Sequence, residues 1–375
     1  MLPATLCFGG GGILTFPHVF AMLYILDYTC FRSATGAGLK TGMKGKTALN
    51  IHDIAKLAGV SSTTVSRFLN NGYVSQSKRQ QIQKVIEKTG YAPLLGAQTM
   101  RTKRKKLIGV IIPKISSESV SRTVDGISEA IAEQGYQILL GNTSNDPEKE
   151  LEYLSIFQAN TDGILLMATI LTEKHRQMLR GMKIPVVLIG QRLEGLDCAY
   201  YDDFGAAKEL ASLLVRSGCR QPGFIGVTLE DRAAGLGRQN GFLEAMREAS
   251  VDVPNEHRRY GPFTMESGRQ SMEQLLAVCP EMDGVFCATD SIAVGAMQAI
   301  RAAGRKIPQQ VAVVGVGDSQ ISGIIEPALT TVHFHYKTSG AKAAGMLLDR
   351  LGRSPHSPQQ VSLGFEVMLR GSCRR

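Results

Sequence analysis

The chain has 375 residues, with 42 Lys and Arg against 33 Asp and Glu, 43% hydrophobic residues and 20% charged ones. That length suits two or three domains with sizeable cores, and the balance excludes a disordered chain, a collagen-like repeat and a multi-span membrane protein. Of the net charge of +9, residues 43–106 hold +11 (13 Lys and Arg against Asp53 and Glu87), while residues 107–375 carry −3. A polyanion is therefore the partner expected for the front part alone.

Residues 1–42 come first. Phe8 to Phe31 is largely apolar, but Gly9–Gly12, Pro17, His18 and Asp27 interrupt it, and no Lys or Arg precedes Arg32 as a secretory signal requires. The segment reads as upstream translation or a disordered extension ahead of Met43-Lys44-Gly45-Lys46. A membrane or partner segment is the alternative. Gly45-Lys46-Thr47 and Gly36-Ala37-Gly38 both lack the glycine spacing of a phosphate-binding loop and are rejected as nucleotide sites.

Residues 43–92 form the basic module. Asn50 to Val60 places Ile51, Ile54, Ala55 and Ala58 on one face of a helix that Gly59 ends. Ser61-Ser62 cap a second helix, Thr63 to Leu69, with Val65 and Leu69 facing inward; a third, Gln76 to Thr89, has Ile82, Val85 and Ile86 apolar. A glycine in the turn between two short helices is the helix-turn-helix pattern. In a major groove the second helix offers Ser62, Thr63 and Arg67 to base edges, where Arg can take guanine through two hydrogen bonds. Asn50, Ser61, Thr64, Ser66 and Asn70 are placed for phosphates, which position without specifying. A helical hairpin without nucleic acid is the alternative, and the local charge weighs against it.

Ile51-His52-Asp53-Ile54-Ala55-Lys56-Leu57-Ala58-Gly59-Val60-Ser61, with Thr64-Val65-Ser66-Arg67, Val74-Ser75 and Gly90-Tyr91-Ala92-Pro93, resembles the headpiece of the LacI/GalR family of bacterial repressors. The resemblance runs over residues 48–370. It implies a hinge in residues 93–106, a short helix that folds when two chains meet on DNA and drives an apolar wedge into the minor groove. Ala97 fits that pattern, and Met100 stands in for the family's Leu as a wedge of suitable size. Gly96 raises the cost of the hinge helix by about 1 kcal/mol relative to Ala. The run Arg101-Thr102-Lys103-Arg104-Lys105-Lys106 reads as a phosphate clamp, with a solvated linker as the alternative.

Residues 107–375 repeat weakly. Leu107-Ile108-Gly109-Val110 recurs as Phe224-Ile225-Gly226-Val227, and Asp162-Gly163-Ile164-Leu165 as Asp283-Gly284-Val285-Phe286. Ile184-Pro185-Val186-Val187 is echoed by Ile307-Pro308 and Val311–Val314. Amphipathic stretches (Val120–Gln134, Gly205–Ser217, Gln239–Ala249, Ser291–Ala303) alternate with these apolar runs, the rhythm of open parallel sheets. The expected fold is an all-α helix-turn-helix headpiece followed by an α/β body with two parallel-sheet lobes. The resemblance makes that body periplasmic-binding-protein-like, with a ligand cleft at the strands' carboxyl ends and a role in dimerisation.

The resemblance places an effector-binding arginine at Arg238, in Arg238-Gln239-Asn240-Gly241-Phe242, and an aromatic ring at Phe263. Thr289-Asp290 follows a strand and should face the cleft, and Gln191 and Asp318 are further candidates. Gly190-Gln191-Arg192 and Gly315-Val316-Gly317-Asp318 carry fewer carboxylates than the family pattern, which favours a more anionic ligand. A sugar phosphate or sugar acid therefore stands beside a neutral sugar. At Val332-His333-Phe334-His335 the family's polar crossover residue is missing. Asp202-Asp203 reads as a pair of carboxylates stabilising a helix N-terminus.

No catalytic constellation, metal-ligand spacing or cofactor motif is present in the sequence, so no enzyme, metal or cofactor is expected. Seven cysteines (Cys7, Cys30, Cys198, Cys219, Cys279, Cys287, Cys373) without C-x-x-C spacing read as free thiols of a reducing cytoplasm. Taken together, the residues and the resemblance imply a cytoplasmic, nucleoid-associated transcriptional regulator without a membrane partner. It is expected to be a repressor of carbohydrate-utilisation genes that binds a near-palindromic double-stranded operator as a homodimer, under control of a small sugar-type effector. Inducer and corepressor signs are both allowed. Control by a protein corepressor is the first alternative, and a sugar-metabolising enzyme the second.

Overall fold

The computed structural model describes residues 49–69, 72–91, 104–352 and 357–374, in two compact units that divide after Tyr91. In the first unit α1 (Ile51–Leu57), α2 (Ser62–Leu69) and α3 (Gln76–Thr89) lie where the apolar periodicity puts them. Asn50 starts α1: its side-chain oxygen accepts from the N–H groups of His52 and Asp53 at 2.9 and 3.1 Å. The Asp53 carboxylate in turn accepts the Asn50 N–H at 2.9 Å, a reciprocal cap worth about 1 kcal/mol. Gly59, at φ +62°, turns the chain into α2. Ile54, Val65 and Ile82 are fully buried, one from each helix, and close a core with Ala55, Ala58 and Val74.

The second unit has two lobes. The first contains β1 (Leu107–Ile112), α4 (Glu118–Ala132), β2 (Gln137–Asn142), α5 (Pro147–Asn160), β3 (Gly163–Leu166), α6 (Glu173–Arg180), β4 (Val186–Ile189) and β5 (Asp197–Tyr201). The chain crosses to α7 (Asp203–Arg216), β6 (Pro222–Gly226), α8 (Arg238–Glu248), β7 (Arg258–Tyr260) and α9 (Met265–Val278) of the other lobe. That lobe continues with β8 (Gly284–Cys287), α10 (Asp290–Ala302), β9 (Ala312–Val314), α11 (Gln320–Ile324) and β10 (Thr331–Phe334). α12 (Tyr336–Gly352) and β11 (Gln360–Leu363) return to the first lobe, and β12 (Phe365–Met368) ends in the second.

Both sheets are parallel, in the orders β11-β5-β4-β3-β1-β2 and β7-β6-β8-β9, and β10 pairs antiparallel with β12. The echoes in the sequence thus become strands at matching sheet positions: β1 with β6, β3 with β8, β4 with β9. Buried on both faces, β3, β4 and β8 are continuous apolar runs without alternation. Among the described residues no helix is long and apolar enough to cross a membrane.

Three basic side chains leading into β1 are drawn onto this unit. Lys105 Nζ donates to the Ala159 and Thr161 carbonyls at 2.6 and 3.3 Å. Lys106 Nζ donates to the Gln134 carbonyl at 2.8 Å and lies 4.4 Å from the Tyr136 ring centre. Arg104 donates to the Tyr136 hydroxyl at 3.3 Å and to the Leu351 carbonyl. These carbonyls cluster at the C-terminal ends of α4, α5 and α12, where helix dipoles favour cations. This corrects the phosphate-clamp reading for 104–106. Arg101, Lys103, the hinge candidates Ala97 and Met100, residues 1–42, and Asn70 lie outside the described residues.

Helices α4 and α12 approach backbone to backbone. A Cβ on Gly126 would lie 1.9 Å from the Lys337 carbonyl oxygen, and one on Gly340 would lie 2.0 Å from that of Thr123. Neither partner is a flexible side-chain tip, so the clash has no cheap relief. Gly340→Ala should cost roughly 1–3 kcal/mol, read as a lower urea midpoint at unchanged slope.

Candidate ligand cavity and nucleic-acid interface

On the first unit, α2 carries no acid in its first turn and presents Thr63 and Arg67 to solvent beside half-buried Ser62. The Ser62 hydroxyl is 2.9 Å from His52 Nδ1. Ser61 and Thr64, read as phosphate contacts, also serve the helix: their hydroxyls meet at 2.8 Å, and Ser61 Oγ accepts the Thr64 N–H at 3.2 Å. Asn50 has likewise committed its side-chain oxygen to the α1 cap, leaving its amide NH2 for any phosphate. Of the three residues expected at base edges, Thr63 and Arg67 are exposed, while Ser62 is half-buried with its hydroxyl engaged by His52.

In the second unit a cavity of about 400 Å³ lies where the carboxyl ends of β1, β3 and β4 meet those of β8 and β9. Of the candidate effector residues, Gln191, Arg238, Phe263 and Thr289 line it. Arg238 is 7% exposed. Its Nε donates to Asp203 Oδ1 at 2.7 Å, its Nη1 donates to the Ala288 carbonyl at 2.5 Å, and the guanidinium lies 5.6 Å from the Phe334 ring centre. Burial disfavours that charge, but Asp203 beside it holds the guanidinium above its ordinary value. The remaining donors of the fork are left for an occupant.

Asp202-Asp203 stand at the N-terminus of α7 as the sequence suggests, one as its cap and one in its first turn, but Asp203 has a second role. Asp202 alone caps α7, accepting the Gly205 N–H at 2.8 Å, while Asp203 is buried against Arg238. Two further carboxylates stand in the cavity wall: Asp231, which the sequence did not single out, and Asp290, given with Thr289 as facing the cleft. Asp231 accepts from Gln191 Nε2 at 2.8 Å and from the N–H groups of Ala233 and Ala234 at 3.0 and 2.9 Å. It thereby starts a π-helical turn, Arg232–Gly237, that delivers Arg238 to the cavity. Asp290 accepts the Thr331 hydroxyl at 2.5 Å and the Ser319 N–H and hydroxyl at 2.7 and 2.9 Å. Burial pushes all three carboxyls up, and the donors named oppose it. The cavity is therefore not short of carboxylates. They come from the start of α7, the π turn and the start of α10 rather than from the ends of β4 and β9.

Asp318, expected as an effector residue, does not line the cavity. At φ +47° its carboxylate turns away to Arg370 Nη2 at 2.5 Å and His333 Nδ1 at 2.9 Å. His333 thus takes its place in that cluster, and Phe334 is fully buried under Arg238 and 4.9 Å from the Tyr201 ring. Burial raises the Tyr201 hydroxyl, which is 2.5 Å from Ser339 Oγ, to about 12 and raises Tyr336 as well, so both tyrosines in the cavity wall are neutral. Among the described residues no group of His, Cys, Asp and Glu is placed to hold a metal ion. Cys198, Cys219, Cys279, Cys287 and Cys373 are buried free thiols, each pushed up by burial.

A three-helix module whose second helix turns Thr63 and Arg67 to solvent, carried on the same chain as a two-lobed body with a cavity between its lobes, is the composition of a ligand-responsive nucleic-acid-binding protein. Comparison with known proteins gives the same class. Residues 50–93 match the model of the bacterial regulatory proteins of the lacI family, and residues 211–373 match the periplasmic binding protein-like domain. The sucrose operon repressor of Staphylococcus xylosus is 30% identical over 80% of this chain and 92% of its own length. The HTH-type transcriptional repressor PurR of Klebsiella pneumoniae is 31% identical over 86% of this chain and 96% of its own. A solved complex of the transcriptional regulator CelR with cellobiose superposes with a TM-score of 0.67 at 27% identity, covering 86% of this chain and 99% of that one. The chain belongs to the LacI family. It is a DNA-binding transcriptional repressor with a small-molecule effector, and not an enzyme.

Two outcomes follow from the site. Arg238→Met alone leaves Asp203 buried without its partner and should cost about 3–5 kcal/mol in urea unfolding, whereas adding Asp203→Asn should recover part of that loss. Burial raises the Asp318 carboxyl, but Arg370 and His333 outweigh it, so its folded value lies below the ordinary 3.8. Its contribution to stability is then fully present above 3.8 and lost as pH falls through the folded value. Asp318→Asn, which tolerates the left-handed backbone, should flatten that part of the acid limb of a pH–stability profile.

Proposed function

We propose that this repressor acts on carbohydrate-utilisation genes in the cytoplasm, at the nucleoid, and that its cavity takes a small polyhydroxylated carbohydrate. The observation that carries the effector class is the cavity wall. A buried guanidinium, aspartates and the serines Ser116, Ser119 and Ser291 line a volume of about 400 Å³, suited to a mono- or disaccharide. Phe263 supplies the apolar face on which a pyranose ring packs. Buried carboxylates at Asp231 and Asp290 count against a strongly anionic occupant and favour a neutral sugar.

On the DNA side, Arg67 reads guanine, Ser62 and Thr63 read adjacent base edges, and Asn50, Ser61, Thr64, Ser66 and Asn70 serve the phosphates. Ala97 and Met100 remain the hinge contacts proposed for the minor groove. Two such headpieces, brought together in a homodimer, bind the half-sites of a near-palindromic operator.

The test selects binding sites for the purified chain from random-sequence DNA and then titrates mono- and disaccharides, sugar acids and sugar phosphates into the complex. A near-palindromic consensus and a shift in affinity by neutral sugars are expected. Arg67→Ala should lose about 1–3 kcal/mol of discrimination at a guanine position while keeping the salt dependence of binding. The Asp203→Asn, Arg238→Met pair should keep operator binding and lose the sugar response. No enriched site would overturn the DNA reading. A response confined to sugar phosphates would overturn the neutral-sugar reading.

A further inference from the structure

The cavity's two rims are tied differently. On one, Gln191 of the first lobe donates to Asp231 of the second at 2.8 Å, in a buried contact. On the other, the partners are Glu118 and Arg122, one helical turn apart on α4, and the turn at 318–320 of the second lobe. Arg122 Nη1 donates to the Asp318 carbonyl at 3.0 Å, and the Glu118 carboxylate accepts the Gln320 N–H at 3.2 and 3.0 Å from its two oxygens. Arg122 also donates to Glu118, so the two side chains form one unit that offers a donor and an acceptor side by side.

The receiving turn is built in advance. Asp318 holds its left-handed backbone while its carboxylate is clamped by Arg370 and His333, and its N–H donates to Thr331 Oγ1 at 3.3 Å. Ser319 is fixed on Asp290 through both its N–H and its hydroxyl. What remains pointing to the first lobe is one carbonyl and one N–H, the complement of Arg122 and Glu118. Glu118, Arg122, Ser319 and Ile321 also line the cavity, so this contact spans its wall. Its side chains are 34% and 30% exposed, against a buried tie on the far rim. Water and salt reach it, and a charge-assisted contact that is accessible to both is the one that yields first.

We propose that Glu118 and Arg122 form an interlobe latch, and that the cavity opens on this rim while the Gln191–Asp231 rim acts as the pivot. The two residues are positioning residues, which set how easily an occupant of any chemistry enters and how firmly the lobes close on it. The latch needs no particular effector and no operator, so its test stands apart from the reading of function.

Hydrogen exchange of the full chain, followed by mass spectrometry, reads both rims at once. Arg122→Met and Glu118→Gln should each speed exchange in peptides covering 316–324 by about fivefold or more, while peptides covering 228–237 keep the wild-type rate. The double variant should go little further than either single one, because the pair acts as a unit. Raising the salt from 0.05 to about 0.5 M should speed the wild-type 316–324 peptides and leave the Arg122→Met variant nearly unchanged. Unchanged exchange at 316–324 would overturn the latch. Equal acceleration on both rims would overturn the pivot, and acceleration through the sheet cores would mean general loosening instead.

Discussion

Arg238 is a charge held almost entirely out of water, and the body is arranged around satisfying it. Its partners come from three separate stretches of chain: Asp203 just past the first crossing between lobes, the Ala288 carbonyl past the end of β8, and the Phe334 ring at the second crossing. A buried ion pair of this kind is weak as a source of stability, since desolvation offsets most of the attraction. It is strong as a constraint, because any arrangement that separates the three segments leaves a bare charge inside. The Asp231-capped π turn that delivers Arg238 and the tyrosines gathered beside it belong to the same arrangement. Ligand donors in this cavity are thus attached to the crossings themselves, where a change in lobe orientation must pass.

Much of this was legible in the sequence for reasons that can be named. Helices of the headpiece follow from a 3.6-residue period and from Gly59, and the doubled lobes follow from apolar runs that recur in order. Gln191, Arg238, Phe263 and Thr289 were readable because each follows a strand end or sits in a recognisable motif. What escaped depends on contacts far apart in the chain. Asp318 follows β9 as a ligand residue would, but a left-handed backbone and Arg370, far along the chain, take its carboxylate elsewhere. Asp203 and Asp202 are neighbours with the same local signal, and only folding shows that one caps a helix while the other neutralises an arginine. Asp231 precedes Arg-Ala-Ala-Gly-Leu-Gly, which reads as loop although its side chain caps a turn. Arg104, Lys105 and Lys106 are a similar case, since their destination is helix carbonyls that are adjacent only in the folded lobe.

The charge asymmetry of the sequence acquires a physical meaning from this separation. Lys56, Arg67, Lys78, Arg79, Lys84 and Lys88 of the headpiece face solvent, where a phosphate backbone can use them, whereas Arg104, Lys105 and Lys106 are engaged by carbonyls of the body. Long-range attraction to DNA and short-range recognition of a ligand therefore reside in different units. The family's function requires the two to be coupled, and a coupling between sites is a free energy that must act equally in both directions.

That reciprocity is the most direct test of the account. The effector's dissociation constant would be measured on the free repressor and on the operator-bound repressor, and the operator's constant with and without effector. The account predicts that the two ratios agree, at a factor of roughly 5–150. An effector that binds equally well with and without operator would contradict it, because the cavity would then have no influence on the headpiece.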